Sequence, residues 1–171
     1  ELLGNKADIS IHYVDYIMHG EKEAYENLRQ YCIQKEQKDK FWKYMKCFVQ
    51  SGDSEKCLNE TGIDKSKLEV CMNETDKRYN ITQELKSGKT YPAFLVETDL
   101  NNKYGVRGSP TIVINDVVVS LQRSPEAFKQ AICSAFINPP EECNTKLSTN
   151  SASPGFGPLE GSSSSSSGTC G

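Results

Sequence analysis

The sequence predicts an α/β fold, on three observations. A β-branched and aromatic run at residues 9–17 (Ile-Ser-Ile-His-Tyr-Val-Asp-Tyr-Ile) reads as a strand. Residues 21–88 carry apolar residues at helical spacing, broken by glycines and capping acids. Beyond them two short apolar runs at about 111–119 read as a hairpin, followed by a capped helix. The chain has 171 residues, 36% of them apolar and 25% charged. Residues 144–171 hold 9 Ser, 5 Gly and 2 Pro in 28 positions, so they add little to a core. The other 143 suffice for one domain. No apolar run reaches the roughly 18 residues of a membrane span. The net charge of −3 and the mixing of acids with bases exclude a strong field for nucleic acid or anionic lipid.

Each element has a local reason. After the first strand, His19-Gly20 is a break. A helix is predicted over about 21–34, with Ala24, Leu28 and Cys32 at four-residue spacing and acids in its first turn. Phe41, Tyr44, Met45 and Phe48 form the stripe of a second helix, about 36–51, which Gly52 ends. Asp53-Ser54 caps a short helix carrying Cys57 and Leu58, and Gly62 closes it. Asp64 caps a longer one with Leu68, Cys71, Met72, Thr75 and Tyr79 on one face. Past Gly88 lies a short apolar run at 91–96, then a polar stretch ending at Tyr104-Gly105-Val106. Strands at 111–114 and 117–119 flank Asn115-Asp116, a two-residue turn. Ser124-Pro125-Glu126 starts the last helix, whose buried face would be Phe128, Ala131, Ile132, Ala135 and Phe136, and Pro139-Pro140 stops it. From Asn144 onward the chain reads as a flexible Ser/Gly-rich tail.

Seven cysteines are an excess: Cys32, Cys47, Cys57, Cys71, Cys133, Cys143 and Cys170. None forms a C-x-x-C, and two His accompany them, which argues against a zinc site; no cofactor motif is present. Structural disulfides remain, and these persist in oxidising compartments, so an extracytoplasmic location is expected: secreted, periplasmic, cell-surface or endomembrane lumen. Sequons at Asn59, Asn73 and Asn80 point weakly the same way. A loop past Pro139-Pro140 can bring Cys143 back to Cys133 at the helix end. The other four allow three connectivities. Position favours Cys47–Cys57 across the Gly52 turn and Cys32–Cys71 between the first and last helices of the block. Cys170 is free, paired between chains, or bonded upstream. Residue 1 is Glu, and Glu1-Leu2-Leu3-Gly4 reads as a helix end stopped by Gly4, so a mature or truncated product is expected.

The most specific stretch is Gly105-Val106-Arg107-Gly108-Ser109-Pro110-Thr111-Ile112-Val113-Ile114-Asn115. A proline there must sit at a strand start or a bulge, because it cannot donate to the ladder. The Ser109–Pro110 bond is cis in a tight entry or an ordinary trans bond; spacing leaves both open. With its hairpin and the final capped helix, this stretch resembles the C-terminal half of a thioredoxin fold. The helical block resembles the insertion of DsbA-like proteins. His19-Gly20-Glu21-Lys22-Glu23 with Asn27 and Cys32 is similar to the gamma-interferon-inducible lysosomal thiol reductase group. Cys47, Cys57, Gly62-Ile63-Asp64 and Cys71, with Ala131-Ile132-Cys133-Ser134-Ala135-Phe136 and Cys143, resemble the thioredoxin-like region of plant vacuolar sorting receptors.

The resemblance spans about residues 7–143 and implies a Cys133–Cys143 bridge. It also implies that Ser109, Pro110 and Thr111 form a platform pairing with an extended protein or peptide thiol or disulfide substrate. The redox C-x-x-C of the family is missing from this sequence. The expectation is therefore the C-terminal part of an exported thiol–disulfide oxidoreductase. Its central strand would come from a segment ahead of Glu1, from a partner, or from a rearranged sheet. A non-catalytic thioredoxin-like binding module and a disulfide-stapled surface domain are the alternatives. Weaker candidates are His12, His19, Trp42 and Arg107. The expectations for them are a half-buried strand position, a loop or capping role, helix core and a solvated side chain.

Overall fold

Helix α1 (Glu21–Glu36) turns Ala24, Leu28, Cys32 and Ile33 inward, and these four are essentially inaccessible to solvent. In this computed structural model, which describes residues 2–151, α1 packs against both α2 (Lys38–Ser51) and α4 (Lys65–Tyr79). Helix α2 buries Phe41 and Tyr44 and ends at Gly52, whose φ of 65° is the left-handed region that glycine tolerates. Asp53 and Asp64 cap α3 (Ser54–Glu60) and α4. Each carboxylate accepts a hydrogen bond from a backbone N–H three residues on, at 3.0 and 3.1 Å. A further short helix, α5 (Ile81–Leu85), follows Asn80, which is itself left-handed at φ 53°. The polar stretch after residue 96 is helical. It forms α6 (Thr98–Tyr104), with Asn101 buried.

Residues 9–17 form no regular element, and Tyr13 and Ile17 join the core with Phe94. The expected strand is reduced to one antiparallel bridge, Tyr16 with Ala93. The physical reason lies in its hydrogen bonds. Side chains satisfy backbone groups that a neighbouring strand would otherwise take. Gln34 bonds both the N–H and the carbonyl of Ile11. Glu97 accepts from Tyr13 N–H, and Asn101 donates to the Tyr13 carbonyl.

The chain divides into two units, one of Ile9–Pro110 and one of Glu1–Asp8 with Thr111–Gly171. In the second, β1 (Ile112–Ile114) and β2 (Val117–Val119) pair antiparallel, Ile112 opposite Val119. Asn115 and Asp116 have φ of 47° and 64°, the pair of positive values a tight primed turn requires. This two-stranded ladder is the sheet found among the described residues, so the fold is helix-rich and mixed.

Helix α7 (Pro125–Cys133) begins at Ser124, whose Oγ accepts from Ala127 N–H at 3.3 Å. It ends earlier than its apolar pattern suggests. Lys129 and Cys133 are its buried residues, while Ala135 lies beyond it and is exposed. Gly4 opens a 3-10 turn (Gly4–Lys6) instead of ending a helix, and Lys6 pairs with Glu142 at 2.6 Å. Residues 144–151, read as the start of a free tail, return to α7 through Thr145, Leu147 and Ser148. The remaining tail, with Cys170, lies outside the described residues.

Candidate functional site

The three pairs Cys32–Cys71, Cys47–Cys57 and Cys133–Cys143 are disulfides, with Cα separations of 5.8, 5.6 and 5.9 Å. These fall in the ordinary window of about 4.4–6.8 Å. The first ties α1 to α4 in the core, and the second ties α2 to α3. The third ties the end of α7 to the 3-10 turn Glu141–Asn144. All six cysteines with described positions are therefore oxidised, and none offers a thiolate.

The Ser109–Pro110 peptide is cis. Ser109 and Pro110 close the larger unit and Thr111 opens the smaller; all three are exposed. Within the larger unit, the approach to Ser109 is fixed by aromatic residues. Tyr16 Oη donates to the Arg107 carbonyl at 3.3 Å, and its ring meets Tyr91 edge-on at 6.1 Å. A Cβ placed on Gly108 would lie 3.6 Å from Tyr16 Oη. Beside this segment is a cavity of about 200 Å³ lined by Val14, Asp15, Tyr16, Asn101, Val106 and Arg107. It is small and mixed in character, suited to one side chain or a small molecule.

The weaker candidates resolve as follows. His19 sits in a capping arrangement: Glu23 accepts from the N–H groups of Met18 and His19 at 2.9 and 2.6 Å and holds the His19 ring at 3.2 Å. Trp42, expected in the helix core, is 40% exposed and packs edge-on against Phe41. It lies next to the core-facing position 41, on the solvent side of α2. Arg107 is exposed and serves the site through its carbonyl. His12 is half-exposed, and both its ring nitrogens are engaged. Nδ1 lies 2.7 Å from Glu97 Oε1 and Nε2 lies 2.8 Å from Ser10 Oγ. The hydrogen bond to Glu97 holds its pKa above the usual value, against the opposing effect of burial. Sequence reasoning singled out neither Ser10 nor Glu97. Ser10 and His12 share a face at period two, which was legible, but Glu97 is 85 residues from His12 and carried no signal.

A second polar centre lies under α1. Glu26 accepts from Tyr44 Oη and Gln30 Nε2, both at 2.8 Å, from Ser54 Oγ at 2.7 Å, and from Arg29. Burial, then the Glu26 charge, pushes the Tyr44 phenol well above its ordinary range. Burial does the same to Tyr13, with Glu97 and Glu26 adding to it. These phenols stay protonated and act as hydrogen-bond donors. Asn59, Asn73 and Asn80 are all exposed, on α3, on α4 and between α4 and α5. Among the described residues no helix is long and apolar enough to cross a membrane, and no group of three His, Cys, Asp or Glu is placed to hold a metal ion. No family model, curated protein or solved structure matches the chain.

Proposed function

We propose that this chain is the substrate-facing part of an exported thiol–disulfide oxidoreductase of the DsbA-like thioredoxin superfamily. In this reading Ser109, Pro110 and Thr111 pair with an extended polypeptide, and the helical block at 21–88 is the insertion of that class. The observation that carries it is the exposed Ser109–Pro110 turn running directly into the antiparallel hairpin. The three disulfides support an oxidising, extracytoplasmic setting. Exchange itself needs an attacking thiolate and a resolving thiol. Those belong to a C-x-x-C that residues 1–171 do not contain.

A non-catalytic binding module is the second reading, favoured by the oxidation of every described cysteine. Two measurements separate the readings. Calorimetric titration of a blocked, extended cysteine peptide should give saturable binding, weakened about tenfold, or about 1.4 kcal/mol, by Pro110→Ala. Insulin reduction by the full-length natural protein, above a cysteine-free control, supports the oxidoreductase. Binding without turnover leaves the module, and no binding removes both.

A further inference from the structure

We propose that Ser10, His12 and Glu97 form a hydrolytic site in which Ser10 attacks small acyl esters, His12 is its general base, and Glu97 orients the imidazole. The geometry is a continuous relay. Ser10 Oγ lies 2.8 Å from His12 Nε2, and His12 Nδ1 lies 2.7 Å from Glu97 Oε1. An ionised carboxylate only accepts hydrogen bonds, so Nδ1 carries the hydrogen and the Nε2 lone pair faces the serine hydroxyl. That is the tautomer a general base needs. Accessibility is graded in the same order. Ser10 is exposed, the His12 side chain is 47% exposed and that of Glu97 is 9% exposed.

The three groups are held in place from behind. Glu97 Oε2 accepts from Tyr13 N–H at 2.7 Å, which fixes the carboxylate relative to the segment that carries Ser10 and His12. Gln34 grips Ile11, the residue between serine and histidine, through both backbone groups at 2.9 and 2.8 Å. Asn101 Nδ2 donates to the Tyr13 and Glu97 carbonyls at 2.9 and 3.0 Å. Locked supporting contacts of this kind distinguish a preorganised site from a chance surface pair.

The reaction balances with water as the only other reactant. Ser10 Oγ bonds to the ester carbon while its proton passes to His12 Nε2. The carbon–oxygen bond to the leaving alcohol then breaks, and His12 returns the proton to that oxygen. Water repeats the sequence: its proton goes to His12, its oxygen bonds to the acyl carbon, and Ser10 Oγ leaves and is reprotonated. The products are an acid and an alcohol. A fluorophosphonate stops at the first stage, with a phosphorus–oxygen bond formed, fluoride expelled and the proton delivered to His12.

The test is labelling of the intact chain with a fluorophosphonate, mapped by peptide mass, together with hydrolysis of 4-nitrophenyl acetate. We expect the adduct on Ser10, no adduct and no turnover with Ser10→Ala, and labelling slowed about a hundredfold by His12→Ala. Added imidazole should restore part of the His12→Ala rate, which a purely structural histidine would not allow. Glu97 is a positioning residue. Glu97→Gln, with its far-UV spectrum unchanged, should slow labelling and move the His12 ring-nitrogen resonances toward the Nε2–H tautomer. An adduct absent from Ser10, or formed equally fast without His12, overturns the proposal. This outcome is independent of peptide binding at Ser109–Pro110.

Discussion

Gln34 takes the place of a neighbouring strand for Ile11, accepting from its N–H at 2.9 Å and donating to its carbonyl at 2.8 Å. A side-chain amide presents the same donor and acceptor as a peptide group, so one glutamine on α1 docks this segment without a ladder. Gln34→Leu removes both bonds. Each contributes about 0.5–1.5 kcal/mol net, so a loss of about 2 kcal/mol is expected in urea unfolding, with the denaturant slope unchanged. Gln34→Glu keeps the acceptor but sets a carboxylate oxygen against the Ile11 carbonyl, and should destabilise at least as much.

The Cys32–Cys71 bridge closes the longest of the three loops, with a sequence separation of 39 against 10 for each of the others. Loop-closure entropy then assigns it about 4 kcal/mol and the shorter bridges about 3 kcal/mol each. Both sulfur-bearing side chains are buried, so Cys32→Ala with Cys71→Ala adds a packing loss. The double variant should show the largest fall in thermal midpoint of the three bridge deletions. Equal falls for all three would mean that the α1–α4 tether does not limit the denatured chain. Intact mass should rise by about 2 Da per bridge on full reduction.

His12 gives the larger unit a dependence on pH whose sign follows from its raised pKa. In the unfolded chain it titrates near 6.5. In the fold it titrates higher, first because of its hydrogen bond to Glu97. Its stabilising contribution is therefore full below pH 6.5 and is lost as the pH rises through the folded value. An NMR titration should place the His12 midpoint above 6.5, and Glu97→Gln should bring it back toward or below that value. An unchanged midpoint in the variant would remove Glu97 as the cause.

The parts of this fold that were legible in the sequence are those governed by local chemistry. Asp53, Asp64 and Ser124 cap the helices they precede, and Gly52 ends the helix it follows. Asn115-Asp116 make the expected turn. Cys47–Cys57 closes across the Gly52 turn, Cys32–Cys71 joins the first and last helices of the block, and Cys143 returns past Pro139-Pro140 to Cys133. What could not be read locally depends on distant partners. Residues 9–17 have the composition of a strand. Whether such a run joins a ladder depends on what satisfies its backbone, and here Gln34 on α1, Glu97 in the 3-10 turn Leu95–Glu97 and Asn101 on α6 do so. The Ser10–His12–Glu97 contact escaped notice for the same reason: its third member is remote in sequence. Helix α6 was missed because Thr-Asp-Leu-Asn-Asn-Lys-Tyr has almost no apolar stripe, and Asn101 is buried for its hydrogen bonds instead.

Glu126 ties residues 144–151 to the start of α7. Its Oε2 accepts from Leu147 N–H at 2.7 Å, while Oε1 accepts from Lys129 and Gln130 at 2.8 and 2.9 Å. The position is favourable twice over, because a carboxylate in a first helical turn also faces the positive end of the helix dipole. The Lys129 hydrogen bond, then the Leu147 N–H, hold its pKa below the ordinary 4.5. The contribution is thus present above pH 4.5 and is lost as the pH falls through the depressed folded value, when protonation removes the acceptor charge. Leu147 amide exchange, corrected for its intrinsic rate, should lose protection over that acidic range while Ala127, held by the Ser124 cap, keeps it. Glu126→Gln should reproduce the loss at neutral pH. If Leu147 stays protected in the variant, the segment is held by the backbone bond from Glu126 N–H to the Ser148 carbonyl at 3.0 Å, and the carboxylate is incidental.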